Sequence, residues 1–312
     1  MSNRSSLNVL KLTIRLLLGV FFIGTAVLKL LSIDSFEVYI YSFGIVNFVT
    51  TTFLSRLLIF IELLIGISLI LKLCFKQIWW LTMLMMAGFM LFLVYAAIFR
   101  SDSNCHCFGS FIELNPMQSI VKNIIVLALL FVIRKEKSHD YKPLLRKWLV
   151  VGTIIISLII AFVLLPMDVI YNRIYSEREE VNTVAFYESL NDSTYFDGEK
   201  LMDVSEGRYL INYALAGCKY CRIGAEKLTL MVDKHQIPHD RVKFVIGGND
   251  EAIARFIEIT GTSDYEHRKI PASKFMAITY GKFPLYIFVE DGKVVKAGDF
   301  RIIDDEIITE FF

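Results

Sequence analysis

Two sets of closely spaced thiols give this sequence its chemistry. The first, Cys218-Lys219-Tyr220-Cys221, lies in RYLINYALAGCKYCRIGAEKLTLMVDKH. Tyr209 to Leu215 reads as an apolar strand, Gly217 as part of a turn, and a helix begins near Cys218 and carries Ile223, Leu228, Leu230 and Met231. A thiol at a helix N-terminus faces unpaired backbone N–H groups and the positive end of the helix dipole, which both favour the nucleophilic thiolate. A second thiol three residues on can resolve the mixed disulfide formed by the first. Cys218 is therefore the expected attacking cysteine and Cys221 the resolving one. The alternative is zinc, which needs further ligands; His235 and His239 have a suitable mutual spacing. The strand–turn–helix context is the one that redox motifs occupy, so a redox pair is expected here rather than a metal.

The second set is Cys105-His106-Cys107, in a short polar segment between two apolar runs. Thiols two residues apart can close a small ring, a constrained geometry that is often oxidising. His106 is placed to stabilise a thiolate or shuttle a proton. A soft-metal site of both thiolates and the imidazole is a second reading, and a loop staple a third. Cys74 is the remaining one of five cysteines. Two close pairs and a single thiol do not make the count of a disulfide scaffold.

The elements after Cys221 set the frame that must hold it. Val242 to Gly248 reads as a second buried strand. Asn249 then opens a capped helix with Glu251 in its first turn and Ala252, Ile253, Phe256 and Ile257 at helical spacing. FPLYIFVEDGKVVKAGDF reads as a hairpin turning at Asp291-Gly292, and DDEIITEFF as a terminal helix. This order of parts resembles the thioredoxin fold, on Cys218, Cys221, Pro284 at the head of the hairpin and the Asp291-Gly292 turn. The resemblance implies that Pro284, preceded by Phe283, is a cis proline lying against the dithiol and shaping a surface for an extended peptide. The family's common Trp before the first cysteine is Gly217 here, and the inner dipeptide is Lys-Tyr; those positions tune potential and partner choice.

Composition places this domain on a membrane anchor. Of 312 residues, 55% are hydrophobic and the mean hydropathy is +0.52, too apolar for an ordinary soluble chain. A formal net charge of +1 suggests no nucleic-acid partner. Apolar runs of spanning length fall at about 12–31, 54–73, 78–99, 117–133 and 148–165, and the first reads as an uncleaved span rather than a signal peptide. The 32–52 loop is expected to lie partly on the membrane surface, with Phe36, Tyr39, Ile40 and Phe43 at helical spacing. Basic residues crowd the 134–147 segment (Arg134, Lys135, Lys137, Lys142, Arg146 and Lys147), the 72–77 turn holds Lys72 and Lys76, and the N-terminal tail has Arg4 and Lys11. The 32–52 loop has no basic residue, and the 100–116 loop has only Arg100. The positive-inside rule then puts the N-terminus inside and the C-terminal domain outside an inner (cytoplasmic) membrane. Both thiol sets fall on that extracytoplasmic, oxidising side.

The stretch CHCFGSFIELNPMQSIVKNIIVLALLF resembles MauE/DoxX-type redox-associated membrane proteins, over about residues 8 to 134. The residues that carry it are Cys105, Cys107, Phe108, Gly109, Lys122-Asn123 and the IELLIG of the second span. For MauE-like proteins the resemblance implies help with disulfide formation in a methylamine dehydrogenase subunit; for DoxX relatives it implies quinone-linked oxidation. The expected architecture is an all-α four-helix membrane bundle (1–135), a basic cytoplasmic loop with a fifth transmembrane helix (136–170) and an α/β thioredoxin-like domain (171–312).

The expected function is thiol-disulfide oxidoreduction. Electrons pass from client thiols to Cys218/Cys221, on to Cys105/Cys107, and then to a membrane quinone as cofactor. Glu62, an acid within a span, is the quinone-site candidate; the alternative is that it packs in a polar bundle interior. The partners are extracytoplasmic proteins with thiols or disulfides and the lipid bilayer. The rival readings are an extracytoplasmic reductase or isomerase recharged by another protein, and a non-catalytic MauE-like maturation factor.

Overall fold

The computed structural model describes residues 2–100, 105, 107–110, 112, 114–165, 167–168, 170, 181–191 and 203–312. The chain divides into two compact units, one of Met1–Tyr39 and Thr52–Pro166, the other of Ile40–Thr51 and Met167–Phe312.

The first unit is helical. Its elements are α1 (Ser2–Leu31), α2 (Ile33–Tyr41), α3 (Phe48–Leu71), α4 (Phe75–Phe99), a short strand β1 (Cys107–Ser110), α5 (Pro116–Ile133) and α6 (Pro143–Phe162). All of these helices except α2 are long and apolar enough to cross a membrane. Asn115 and Gln118 form a reciprocal capping box, with Pro116 in the first turn, and so fix the start of α5. α1 and α3 meet at two glycines. A Cβ on Gly66 would stand 2.8 Å from the Gly19 carbonyl oxygen, and one on Gly19 would stand 3.0 Å from that of Gly66. Small residues let the two backbones touch, which is how helices associate where no water drives them together.

Buried charges tie the same helices. Lys29 of α1 and Glu62 of α3 pair at 2.6 Å, with side chains 3% and 4% exposed. Glu37 of α2 pairs with Arg56 of α3 and accepts the Ser55 hydroxyl at 2.9 Å. Arg15 donates to the carbonyls of Leu69 and Ile70, so a cation closes the C-terminal end of α3. The expectation that part of 32–52 lies on the membrane surface does not hold for Phe36 and Tyr39. Phe36 and Tyr39 are 4% and 8% exposed; the apolar side of α2 is buried in protein, and its Glu37 is held by Arg56.

The second unit is α/β. α7 (Thr183–Asn191) precedes β2 (Arg208–Leu215), α8 (Lys219–Lys234), β3 (Val242–Gly247), α9 (Asp250–Thr260), β4 (Glu266–Lys269), α10 (Ala272–Thr279), β5 (Leu285–Glu290), β6 (Lys293–Gly298) and α11 (Asp305–Phe311). The five strands form one sheet in the order β4-β3-β2-β5-β6. β2, β3 and β4 run parallel, and β5 and β6 antiparallel to their neighbours. Alternation along the strands sorts the two faces. Ile211, Tyr213, Ile287 and Val289 pack with Phe186 of α7 and with Phe275 and Ile278 of α10. On the other face α8 lies so close to Tyr286 that a Cβ on Gly224 would strike its hydroxyl, and Phe311 of α11 meets Phe288 edge-on at 5.0 Å. This is the thioredoxin-like arrangement, with the dithiol helix following the central strand.

Asp305, at the first position of α11, is a hub of this unit. It accepts the Tyr41 hydroxyl at 2.8 Å, the Phe48 N–H at 2.6 Å and the Lys234 ammonium at 2.9 Å, and it pairs with His235 Nε2 at 2.7 Å. Burial opposes its charge, but these four donors prevail and hold its pKa at about 2, below the usual 3.8. A carboxylate with a depressed pKa contributes stability that is fully present above its unfolded value and is lost as pH falls through the folded one. Asp305→Asn is therefore expected to lower unfolding stability by about 1–2 kcal/mol near neutrality, allowing for solvent screening. The deficit should shrink between pH 4 and pH 2 in urea titrations followed by tryptophan-independent far-ultraviolet circular dichroism.

Candidate functional site

The site is built by the step from β2 into α8. β2 is buried through Ala214, and Ala216 N–H donates to the Gly247 carbonyl at 3.0 Å, which binds the exit of β2 to the end of β3. The chain then turns, Cys218 N–H donating to Leu215 carbonyl at 3.0 Å, and α8 starts. Cys218 is the N-cap residue, and its Sγ accepts the backbone N–H of Cys221 at 3.2 Å. It is half-exposed, whereas Cys221 is fully buried. Cys221 Sγ accepts the Leu215 N–H at 3.4 Å.

This geometry separates the two thiols electrostatically. The Cys221 side chain hydrogen-bonded to Cys218 favours a thiolate there; burial opposes it, and the N–H groups of Cys221 and Tyr220 and the charge of Arg222 add to it. The result is a Cys218 pKa of about 6, well below 9.0. Cys221 is pushed far up, first because it must donate its proton to Cys218 and then by burial. One sulfur is a poised, accessible nucleophile and the other a protonated reserve beneath it.

Pro284 is buried, and the Phe283–Pro284 peptide bond is cis. The β2/β5 register, which ends with Tyr213 opposite Leu285, sets Pro284 at the same end of the sheet as the exit of β2. Phe283 is 37% exposed. The sequence reading did not single out two residues under the dithiol. Tyr286 is wholly buried and its hydroxyl is held protonated, first of all by burial; Asn212 stands opposite it in the register. An Asn inside an otherwise apolar strand was the available signal. Glu226, one turn beyond Arg222 in α8, has its pKa raised by burial to about 7, against the pull of Arg222.

His235 and His239 do not converge on the dithiol. His235 pairs with Asp305, and His239 pairs with Asp233 at 3.1 Å while stacking on Tyr265. Among the described residues no three His, Cys, Asp or Glu side chains come together as a metal site.

Of the second thiol set, His106 and the Cys107 side chain lie outside the described residues. Cys105 is 3% exposed and clusters with Leu93, Phe108, Leu114 and Ile120. Its sulfur is 2.9 Å from the Ser119 hydroxyl in the first turn of α5, and its N–H donates to the Leu114 carbonyl at 2.8 Å. Lys122 lies 4.8 Å from the ring centre of Phe108, which places a cation in the same neighbourhood.

Glu62 lines a narrow cleft with Phe22, Lys29, Met86 and Phe89, whose free volume of about 20 Å³ is room for about one water. Its carboxylate is already engaged by Lys29. The Lys29 pair gives Glu62 a structural role in the bundle.

The fold and site define a membrane protein that carries a thioredoxin-like dithiol domain. Residues 7–134, which run from α1 through α5, match the family described as methylamine utilisation protein MauE, while α6 lies outside the match. The chain is also 28% identical over 318 residues to Protein TlpB of Flavobacterium psychrophilum, an alignment that covers 84% of this chain and 83% of the relative. No solved structure matches. The protein is thus of a membrane redox or maturation-related type.

Proposed function

We propose that the protein is a membrane-bound thiol-disulfide oxidoreductase that supports disulfide formation in extracytoplasmic proteins. The observation that carries this reading is the asymmetry of the dithiol: a half-exposed Cys218 at the head of α8 with a pKa of about 6, above a buried, protonated Cys221. In the oxidising direction a client thiolate attacks Cys218 of the disulfide and Cys221 leaves as a thiolate that takes up a proton. A second client thiolate then attacks the client sulfur of the mixed disulfide and releases Cys218. Two client thiols become one disulfide and Cys218/Cys221 gains two electrons; one client proton ends on Cys221 and the other goes to solvent, because Cys218 stays largely a thiolate near neutral pH.

Those electrons pass next to Cys105/Cys107 in this proposal. The charge pattern of the loops supports an inner-membrane placement with both thiol sets outside. A membrane quinone as the final acceptor rests on the sequence resemblance alone. The reading is tested with purified, oxidised full-length protein and a reduced, unfolded dithiol protein in excess. Loss of two client thiols is expected for each disulfide that the oxidised wild-type protein holds, four where Cys105/Cys107 is oxidised as well, and no loss for Cys218→Ser. Equal loss in both would refute it.

The MauE match favours one other reading, a maturation factor that holds a client without redox turnover. Under it the methylamine-related description of that family extends to this chain, and Cys218→Ser leaves client maturation intact.

A further inference from the structure

We infer that a pocket beside the dithiol selects client segments that carry an acidic side chain next to the reacting cysteine. The inference rests on the thiol-exchange reading and adds its substrate class. The pocket has a volume of about 380 Å³, enough for one or two side chains of a bound chain. One wall is Ala216 and Gly217, the two residues that lead into Cys218, so a segment joined to Cys218 through sulfur passes its mouth. Phe256, 1% exposed, and Ile259, 42% exposed, supply an apolar wall on α9.

Two guanidinium groups line this pocket, Arg222 from α8 and Arg255 from α9. Arg255 is exposed and Arg222 partly so; Arg222 also acts on Glu226 of its own helix, whose burial raises its pKa to about 7 and so weakens its hold on the guanidinium. The one carboxylate on the lining is Glu251, which is exposed at the start of α9; Asn249 is occupied in capping that helix through the Ala252 N–H. Two cations over one anion, with apolar surface between, complement a segment that presents Asp or Glu and a short apolar residue. Arg222 is also the cation that acts on Cys218, so the acidic side chain is drawn to the place where the mixed disulfide forms. The rest of the lining does not compete, because its backbone groups belong to the turn and the cap.

The test uses full-length reduced protein in detergent and synthetic peptides with one cysteine carried as a mixed disulfide with 5-thio-2-nitrobenzoate, flanked by Glu, Ala or Lys. Attack by the Cys218 thiolate on the peptide sulfur forms the protein–peptide disulfide and releases the coloured thiolate, which is counted. Rates are taken after subtraction of the Cys218→Ser trace and are normalised to those of 2-mercaptoethanol with the same peptide, which removes the peptide's intrinsic reactivity. The Glu peptide is expected to react about fivefold faster than the Ala peptide, a screened charge-assisted contact, with the advantage fading in high salt. Arg255→Gln should remove most of the advantage and Arg255→Glu should transfer it to the Lys peptide, with far-ultraviolet circular dichroism of each variant reporting an intact domain. Equal normalised rates for Glu and Ala peptides, or an acidic preference that survives Arg255→Glu, would overturn the pocket and leave thiol exchange standing. Release no faster than in Cys218→Ser for every peptide would overturn the exchange reading itself, and the pocket with it.

Discussion

Cys221→Ala is expected to turn the protein into a trap. With Cys218 still able to attack a client disulfide, the exchange run in its reducing direction, mixed disulfides form with release of one client thiolate, but the neighbouring thiol that resolves them in that direction is gone. Resolution within the motif has the advantage of a fixed intramolecular partner, and losing it should lengthen the life of the mixed disulfide by about 10³-fold or more. Non-reducing electrophoresis after acid quench should show client-linked bands in Cys221→Ala, none in Cys218→Ser and few in wild type. The same variant reports on the electrostatics. In wild type, alkylation of reduced Cys218 should follow its ionisation with a midpoint at about pH 6, so that roughly nine-tenths is thiolate at pH 7. The Cys221 hydrogen bond is the first cause of that depression, so in Cys221→Ala the midpoint moves up toward the ordinary thiol range. A midpoint that stays in place would assign the low pKa to the helix terminus and Arg222 instead.

The second large effect lies in the membrane helices. Glu62→Leu is expected to destabilise the helical unit by about 3–5 kcal/mol, because it leaves the Lys29 ammonium buried and unpaired. Lys29 is 2% exposed as a residue. The double variant Lys29→Met/Glu62→Leu replaces the pair with apolar groups and should recover most of the loss, as apolar substitutes for buried pairs commonly do. The measurement is thermal unfolding in detergent, followed by accessibility of Cys74 to a maleimide. If Glu62→Leu kept full stability but lost client oxidation in membranes, Glu62 would be working on an electron carrier and not on Lys29.

Much of the C-terminal domain was legible in the sequence because its signals are local. Asn249 caps α9 through its own side chain, Asp291-Gly292 turns the hairpin with positive φ at both residues, and apolar alternation marks β2, β3 and β5. Helices of spanning length were equally plain from hydropathy, with ends differing by a few residues, as in α6, which starts at Pro143 rather than near Trp148. What stayed hidden depends on contacts far apart in the chain. β4 is a four-residue strand of Glu, His, Arg and Lys, whose polar string has no strand signature; it exists because β3 offers it an edge. α2 looked like an interfacial segment because its apolar side faces protein, not lipid, and periodicity cannot tell the two apart. Glu62 looked functional because it is an acid within a span; its partner Lys29 lies 33 residues away, on another helix. At the dithiol, the order of cysteines and the strand–turn–helix frame were readable, whereas Arg255 and Phe256 join the site only when α9 packs beside α8.

In the proposed mechanism the soluble dithiol and the membrane thiol set form one relay, oxidised from the membrane side. The direct measurement is the redox state of Cys218/Cys221 in native membranes, by acid quench and mass-tagged alkylation, in wild type and in Cys105→Ser. The relay predicts a soluble pair that is mostly oxidised in wild type and accumulates reduced in Cys105→Ser. A soluble pair that is reduced in wild type and unmoved by Cys105→Ser would contradict it, and would make the domain a reductase or client-binding module recharged from elsewhere.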